Sequence, residues 1–185
     1  MKPPYQITNK IIELIAAIAE KIGEVNSAYL YKPPTELRKR NRIKTIHYSL
    51  GIEGNSLSLE QVTAILDNKR VIATQKDILE VKNAIKVYEN LNSFSPTGLT
   101  SFCNAHGMLM NGLIDNPGKI RTKPVGIIKG SIITHVAPPG NIVKSLLADL
   151  FDYLKKDKDL LLLKSCVFHY ETEFIHPFMD GNGRM

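Results

Sequence analysis

Apolar residues return at three- and four-residue steps along almost the whole chain, and one segment breaks that rhythm. Ile7, Ile11, Leu14, Ile15, Ile18 and Ile22 make a single stripe, which predicts a first helix with one buried face. Pro33-Pro34 then interrupts the chain, and Thr35 can cap a second helix with Ile43, Ile46 and Leu50 on one side. Gly51 and Gly54 interrupt that helix in turn. Ser58 and Gln61 have the spacing of a capping box, so a third helix should carry Leu59, Val62, Ile65 and Leu66. Thr74 and Asp77 open a fourth, with Ile78, Val81, Ile85, Tyr88 and Leu91 inward. A fifth starts near Thr100 with Phe102, Leu109 and Leu113, and a sixth carries Val143, Leu146, Leu147, Leu150 and Phe151. The seventh, from about Asp159 to Phe174, is apolar nearly all round, which predicts a buried central helix. The exception is Lys123 to Val136, two β-branched runs around Lys129-Gly130 that read as a hairpin ended by Pro138-Pro139-Gly140. The expected fold class is therefore all-α, mainly a helical bundle, with one small β-hairpin.

With 43% hydrophobic residues in 185, the chain has enough apolar material to exclude disorder as its main state. No signal peptide is read at the start, and the longest aliphatic run, Leu160 to Leu163, is far too short to span a bilayer. The expectation is a cytoplasmic protein with no membrane partner. Cys103 and Cys166 lie far apart in no metal spacing and read as buried, reduced thiols. The net charge of +6 is concentrated in Arg38, Lys39, Arg40, Arg42 and Lys44. With no aromatic stacking residue interleaved, that run reads as a solvated helix face and not as a nucleic-acid patch. Oligomeric state is not legible.

The stretch from His176 to Arg184 concentrates chemistry. Pro177 should end the seventh helix, leaving His176 in a loop at the tip of a rigid element, where it can act as a general base. Phe178 would anchor the loop in the core. Gly181, Asn182 and Gly183 can turn successive N–H groups into one anion-binding concavity, and Arg184 can fork onto phosphate oxygens. Asp180 is a hard oxygen ligand suited to Mg2+ bridging phosphates. Base, anion nest, cation and metal ligand together describe attack by a hydroxyl on a nucleotide phosphate. The Gly-Lys-Ser/Thr ending of a Walker A loop is absent.

Those residues resemble the signature of Fic (filamentation induced by cAMP) domains, His-x-Phe-x-Asp/Glu-Gly-Asn-Gly-Arg-x-x-Arg. Seven specified positions match: His176, Phe178, Asp180, Gly181, Asn182, Gly183 and Arg184. The stretch His106 to Arg121, the hairpin ending in Pro138-Pro139, and Phe174-Ile175 look familial as well. The resemblance implies the Fic fold over residues 96–185 and transfer of AMP from ATP to a Ser, Thr or Tyr hydroxyl of a target protein. It implies His176 as the base, Asp180 on Mg2+, Arg184 on a phosphate, and Gly181, Asn182 and Gly183 as the anion hole. The hairpin, with Val125, Gly126, Ile127 and Ile128, would be a flap that docks the target segment as an added strand.

Upstream, Ser49-Leu50-Gly51-Ile52-Glu53-Gly54 fits the inhibitory pattern Ser/Thr-x-x-x-Glu-Gly/Asn of many Fic proteins. It resembles the class whose inhibitory helix precedes the core, here within an N-terminal helical region of residues 1–95. In that class Glu53 would enter the nucleotide site and pair with the second signature arginine. That arginine would fall two positions past Met185, and the helix after the loop is missing too, so the expectation is a core cut short after the signature. Three functions compete: an AMP transferase autoinhibited by Glu53, a metal-dependent phosphodiesterase that removes AMP from a modified protein, and a non-enzymatic nucleotide- or nucleic-acid-binding regulator.

Overall fold

The structure, a computed structural model, describes residues 2–28, 35–129 and 132–185, and the side chains of all of these except 127–129 and 132–135. Helices dominate: α1 (Asn9–Ala28), α2 (Thr35–Ile52), α3 (Leu59–Leu66), α4 (Gln75–Glu89), α5 (Leu99–Leu109), α6 (Gly140–Lys156) and α7 (Leu161–Ile175). Two strands, β1 (Gly126–Lys129) and β2 (Ile132–Val136), pair antiparallel, with Gly126 opposite Val136 and Lys129 opposite Ile132. A register irregularity falls between Ile127 and Ile128. The expected break at Pro33-Pro34 and the expected turn residue Gly130 lie outside the described residues.

Two apolar clusters hold the helices together. Ile43, Ile46 and Leu50 of α2 pack with Val62 and Ile65 of α3, Val81 and Ala84 of α4, and Leu109 and Met110 at the end of α5. Each such side chain contributes about 1.5–3 kcal/mol when fully buried. The second cluster joins Val143, Leu147, Leu150 and Tyr153 of α6 to Ile175 at the end of α7. Phe102 of α5 sits between them, 5.7 Å from Phe151, 5.9 Å from Phe168 and 5.4 Å from Phe178 by ring centroids. The first two contacts are edge-on and the third is stacked, and both geometries add to plain burial.

The capping signals land where the sequence puts them. Ser58 and Gln61 form a full capping box on α3, and the Thr74 side chain accepts the Asp77 N–H at the start of α4. Each such cap is worth about 1 kcal/mol. Thr35 is already the first residue of α2.

Four expectations are corrected. No residue of α1 is buried; its stripe only lines an open groove of about 480 Å3 with Leu162, Leu163 and Val167 of α7. Helix α7 is not enclosed all round, because Leu161, Tyr170 and Phe174 are exposed and only Leu163, Thr172 and Ile175 are buried. On α4 the inward face carries Asp77, Glu80 and Asn83 beside Val81 and Ala84, while Leu91 is exposed in a 3-10 turn. Cys103 is half-buried and Cys166 exposed, both as free thiols. The basic residues of α2 are exposed except Lys39, half-buried in an ion pair with Asp67 at 2.7 Å. Among the described residues no helix is long and apolar enough to cross a membrane.

Candidate active site

Helix α7 ends at His176, which adopts φ 50° and ψ 63°. Proline at 177 excludes the right-handed helical region for the residue before it, and the left-handed conformation lets the chain turn sharply there. Such a conformation costs a non-glycine residue of order 1–3 kcal/mol and persists only where the surroundings enforce it. Here the enforcing group is Arg121, which is 3% exposed. Its guanidinium donates to the carbonyls of His176 at 2.6 Å, Lys123 at 2.8 Å, Pro138 at 2.8 Å and Ile175 at 3.0 Å. Its own N–H donates to the Pro177 carbonyl at 2.9 Å. Burial pulls its pKa below the ordinary value. One buried cation thus fastens the tip of α7 to both feet of the hairpin.

The loop after His176 rests on His106, a fully buried side chain. The His106 ring stacks on Phe178 at 3.6 Å, nearly parallel. Its Nδ1 accepts the Gly118 N–H at 2.8 Å, so the proton must sit on Nε2, which donates to the Asp180 carbonyl at 2.9 Å. Burial lowers its pKa, which keeps the ring neutral and the tautomer fixed.

Asn182 clips the loop onto itself. Its Oδ1 accepts the Phe178 N–H at 2.8 Å and its Nδ2 donates to the Phe178 carbonyl at 2.9 Å. Its side chain is therefore structural, and only its backbone is available to a ligand. Gly181 has φ 78°, and a Cβ there would strike the Met110 sulfur, so both conformation and space demand glycine. The Asp180 side chain is 58% exposed, and its Oδ1 accepts the Gly181 N–H at 2.6 Å. Asp180 offers one exposed carboxylate, which fits Mg2+, a cation that commonly takes one or two protein carboxylates and completes its shell with phosphate oxygens and water. Among the described residues no three His, Cys, Asp or Glu converge on a metal position.

Arg184 is not turned toward solvent. Its side chain is 6% exposed and donates to Glu80 Oε1 at 3.0 Å and to Asp180 Oδ1 at 3.4 Å.

The upstream motif meets this loop. Helix α2 ends in a Schellman arrangement: Gly54, at φ 90°, donates to the Gly51 carbonyl, and Asn55 donates to the Leu50 carbonyl, each at 3.1 Å. Ser49 turns back to the Ile46 carbonyl at 3.2 Å. The turn aims Glu53 across to Gly183, where its Oε1 occupies the place a side chain at 183 would take. The structure thus brings His176, Asp180, Gly181, Asn182, Gly183 and Glu53 to one end of the bundle. Of the hairpin residues, Val125 is half-buried and Gly126 exposed, and the side chains of Ile127 and Ile128 lie outside the described residues.

Arg121, His106, Glu80 and Asn55 received no role from the sequence. The available signal was polar residues on a helix face that also carries Val81 and Ala84, and an arginine just ahead of the hairpin.

Residues 96–185 match the model of the Fic/DOC family. The chain is similar to a Fic family protein from Desulfovibrio desulfuricans, known from a crystal structure, with TM-score 0.91 and 46% identity over 100% of this chain and 57% of that one. It is 30% identical over 154 residues to the protein adenylyltransferase fic-1 of Caenorhabditis briggsae, covering 75% of this chain and 29% of that protein. To the protein adenylyltransferase Fic of Nematostella vectensis it is 26% identical over 195 residues, 95% of this chain and 44% of the relative. The chain thus spans less than half the length of these two curated relatives.

Proposed function

Through residues 96–185 this chain belongs to the Fic/DOC family, and on that premise we propose that it carries the base and phosphate loop of a protein adenylyltransferase held in check by Glu53. Relatives named protein adenylyltransferase support the reaction class. The observation that carries the reading is the common scaffold. Arg121 fixes His176, and His106 fixes Asp180, so base and phosphate loop are held in one geometry before any ligand arrives.

A Ser, Thr or Tyr hydroxyl of the target gives its proton to His176 as its oxygen attacks the α-phosphorus of ATP. The new O–P bond forms, the bond to the β-phosphate oxygen breaks, and pyrophosphate leaves. Asp180 would hold Mg2+, which supplies charge neutralisation on the phosphate oxygens. The backbone of Gly181, Asn182 and Gly183 cradles the phosphates. The hairpin edge, with Val125, Gly126, Ile127 and Ile128, receives the target segment by strand addition.

Glu53 supports autoinhibition because its carboxylate lies against Gly183, where a phosphate would need to approach. Two negative groups there repel. The same placement favours a second reading, removal of AMP from a modified protein, with Glu53 orienting the attacking water.

Incubation of the full-length protein with ATP labelled in its α-phosphate tests both. Label moving onto protein supports transfer. Release of AMP from pre-labelled protein, lost in Glu53→Gly, supports removal. Neither event in the parent or in Glu53→Gly overturns the adenylyl chemistry.

A further inference from the structure

The side chains of Glu80 and Arg184 are 5% and 6% exposed, and they meet in a buried ion pair. Glu80 uses its other oxygen as well: Oε2 accepts from Asn55 Nδ2 at 2.8 Å. Asn55 Nδ2 also reaches the Asp77 carbonyl at 3.1 Å, and Asn55 is the residue whose N–H closes the turn behind Glu53. Lys76, an exposed residue, is 4.0 Å from the same Glu80 oxygen that holds Arg184. One carboxylate of α4 therefore joins the arginine of the phosphate loop to the turn that aims Glu53. Nothing in the signature or in the upstream motif requires a carboxylate at this position.

We propose that Glu80 is a positioning residue that withholds Arg184 from nucleotide phosphate and, through Asn55, couples its release to the Glu53 turn. The proposal rests on the reading that this loop binds phosphate. A carboxylate and a phosphate oxygen compete for the same guanidinium donors. Both members of the pair are desolvated, so salt screens the contact little. Arg184 Nε is buried and meets no acceptor among the described residues. An unmet buried donor is unfavourable, and a phosphate oxygen would satisfy it. Phosphate thus gains at Nε while it displaces Glu80 at the terminal nitrogen. When Arg184 leaves Oε1, the Glu80 carboxylate loses the contact that fixes its orientation, and the turn that Asn55 ties to it through Oε2 loosens. By linkage the converse holds: displacing Glu53 makes Arg184 easier to capture.

The test measures binding to the full-length protein by calorimetry, with inorganic tripolyphosphate as the probe and MgATP in parallel. Glu80→Gln removes the charge while keeping the length and an oxygen for Asn55. Tripolyphosphate binding should tighten at least about fivefold, the scale of one charge-assisted hydrogen bond. Asn55→Ala should tighten it in the same direction by less. Combined with Glu53→Gly, Glu80→Gln should gain less than the product of the two single effects, the mark of coupled residues. A merely structural role would lower the melting temperature without tightening phosphate binding. Unchanged or weakened affinity in Glu80→Gln overturns the proposal. Should that variant lose its cooperative melt, Asn55→Ala decides, and unchanged affinity there overturns it. Tightened phosphate binding without adenylyl transfer would keep this inference and sink the transferase reading. Transfer without tightening would do the reverse.

Discussion

At the scale of single residues, two histidines sit in opposite settings. His176 is half-buried at the tip of α7, and its backbone is held by Arg121. Replacing it with alanine should lower transfer by about 10²–10⁴ while MgATP binding survives, since general-base catalysis contributes on that scale. Rate and calorimetric affinity measured on one preparation check this. His106 must stay neutral, because a proton on Nδ1 would face the Gly118 N–H. Its folded pKa lies below the ordinary 6.5. The unfolded chain therefore binds a proton first as pH falls. Its contribution to stability is whole above pH 6.5 and is lost as pH drops from there toward the folded value. Urea unfolding at stepped pH should show stability declining below pH 6.5, with a flatter decline in His106→Gln. The family signature was legible because its residues are contiguous in sequence. Their supports were not, because Glu80 lies 104 positions from Arg184 and His106 lies 74 from Asp180. Arg184 was read as a free phosphate ligand, and the carboxylate that holds it could not be seen from its neighbours in sequence.

At the scale of elements, the candidate site is built at the ends of helices. Gly54 closes α2 in the left-handed conformation, which fixes where Glu53 points. Gly54→Ala should cost about 1 kcal/mol, because a Cβ is unfavourable there. It should also raise self-labelling with ATP as Glu53 is misdirected. Thermal unfolding and labelling on the same variant check both outcomes. Helix caps were readable because Ser58, Gln61 and Thr74 act within one turn of themselves. Which face of α4 is buried was not readable. Periodicity counts apolar residues, whereas Asp77, Glu80 and Asn83 are inward because each meets a partner from elsewhere in the chain. The stripe of α1 has the right period for a buried face, yet nothing in a period says whether another element covers it.

At the scale of the molecule, Arg121 and the Phe102 cluster join the two halves of the core to the site. Removing the Arg121 guanidinium would strand four backbone carbonyls. Arg121→Met should destabilise the fold by about 4 kcal/mol, a melting shift of roughly 10 °C for a chain of this size. Calorimetric melting checks it. The helical class and the hairpin were legible because their periods differ, 3.6 residues against 2. How the helices pack depends on contacts distant in sequence, and no local pattern records them. The proposed restraint is that Glu53 holds back a His176-dependent adenylyl transfer. Its most direct test is labelling by α-phosphate-labelled ATP in full-length protein, comparing the parent, Glu53→Gly, and Glu53→Gly with His176→Ala. Labelling should be several-fold stronger in Glu53→Gly and lost in the double variant. Labelling no stronger in Glu53→Gly than in the parent, or persisting without His176, would contradict it.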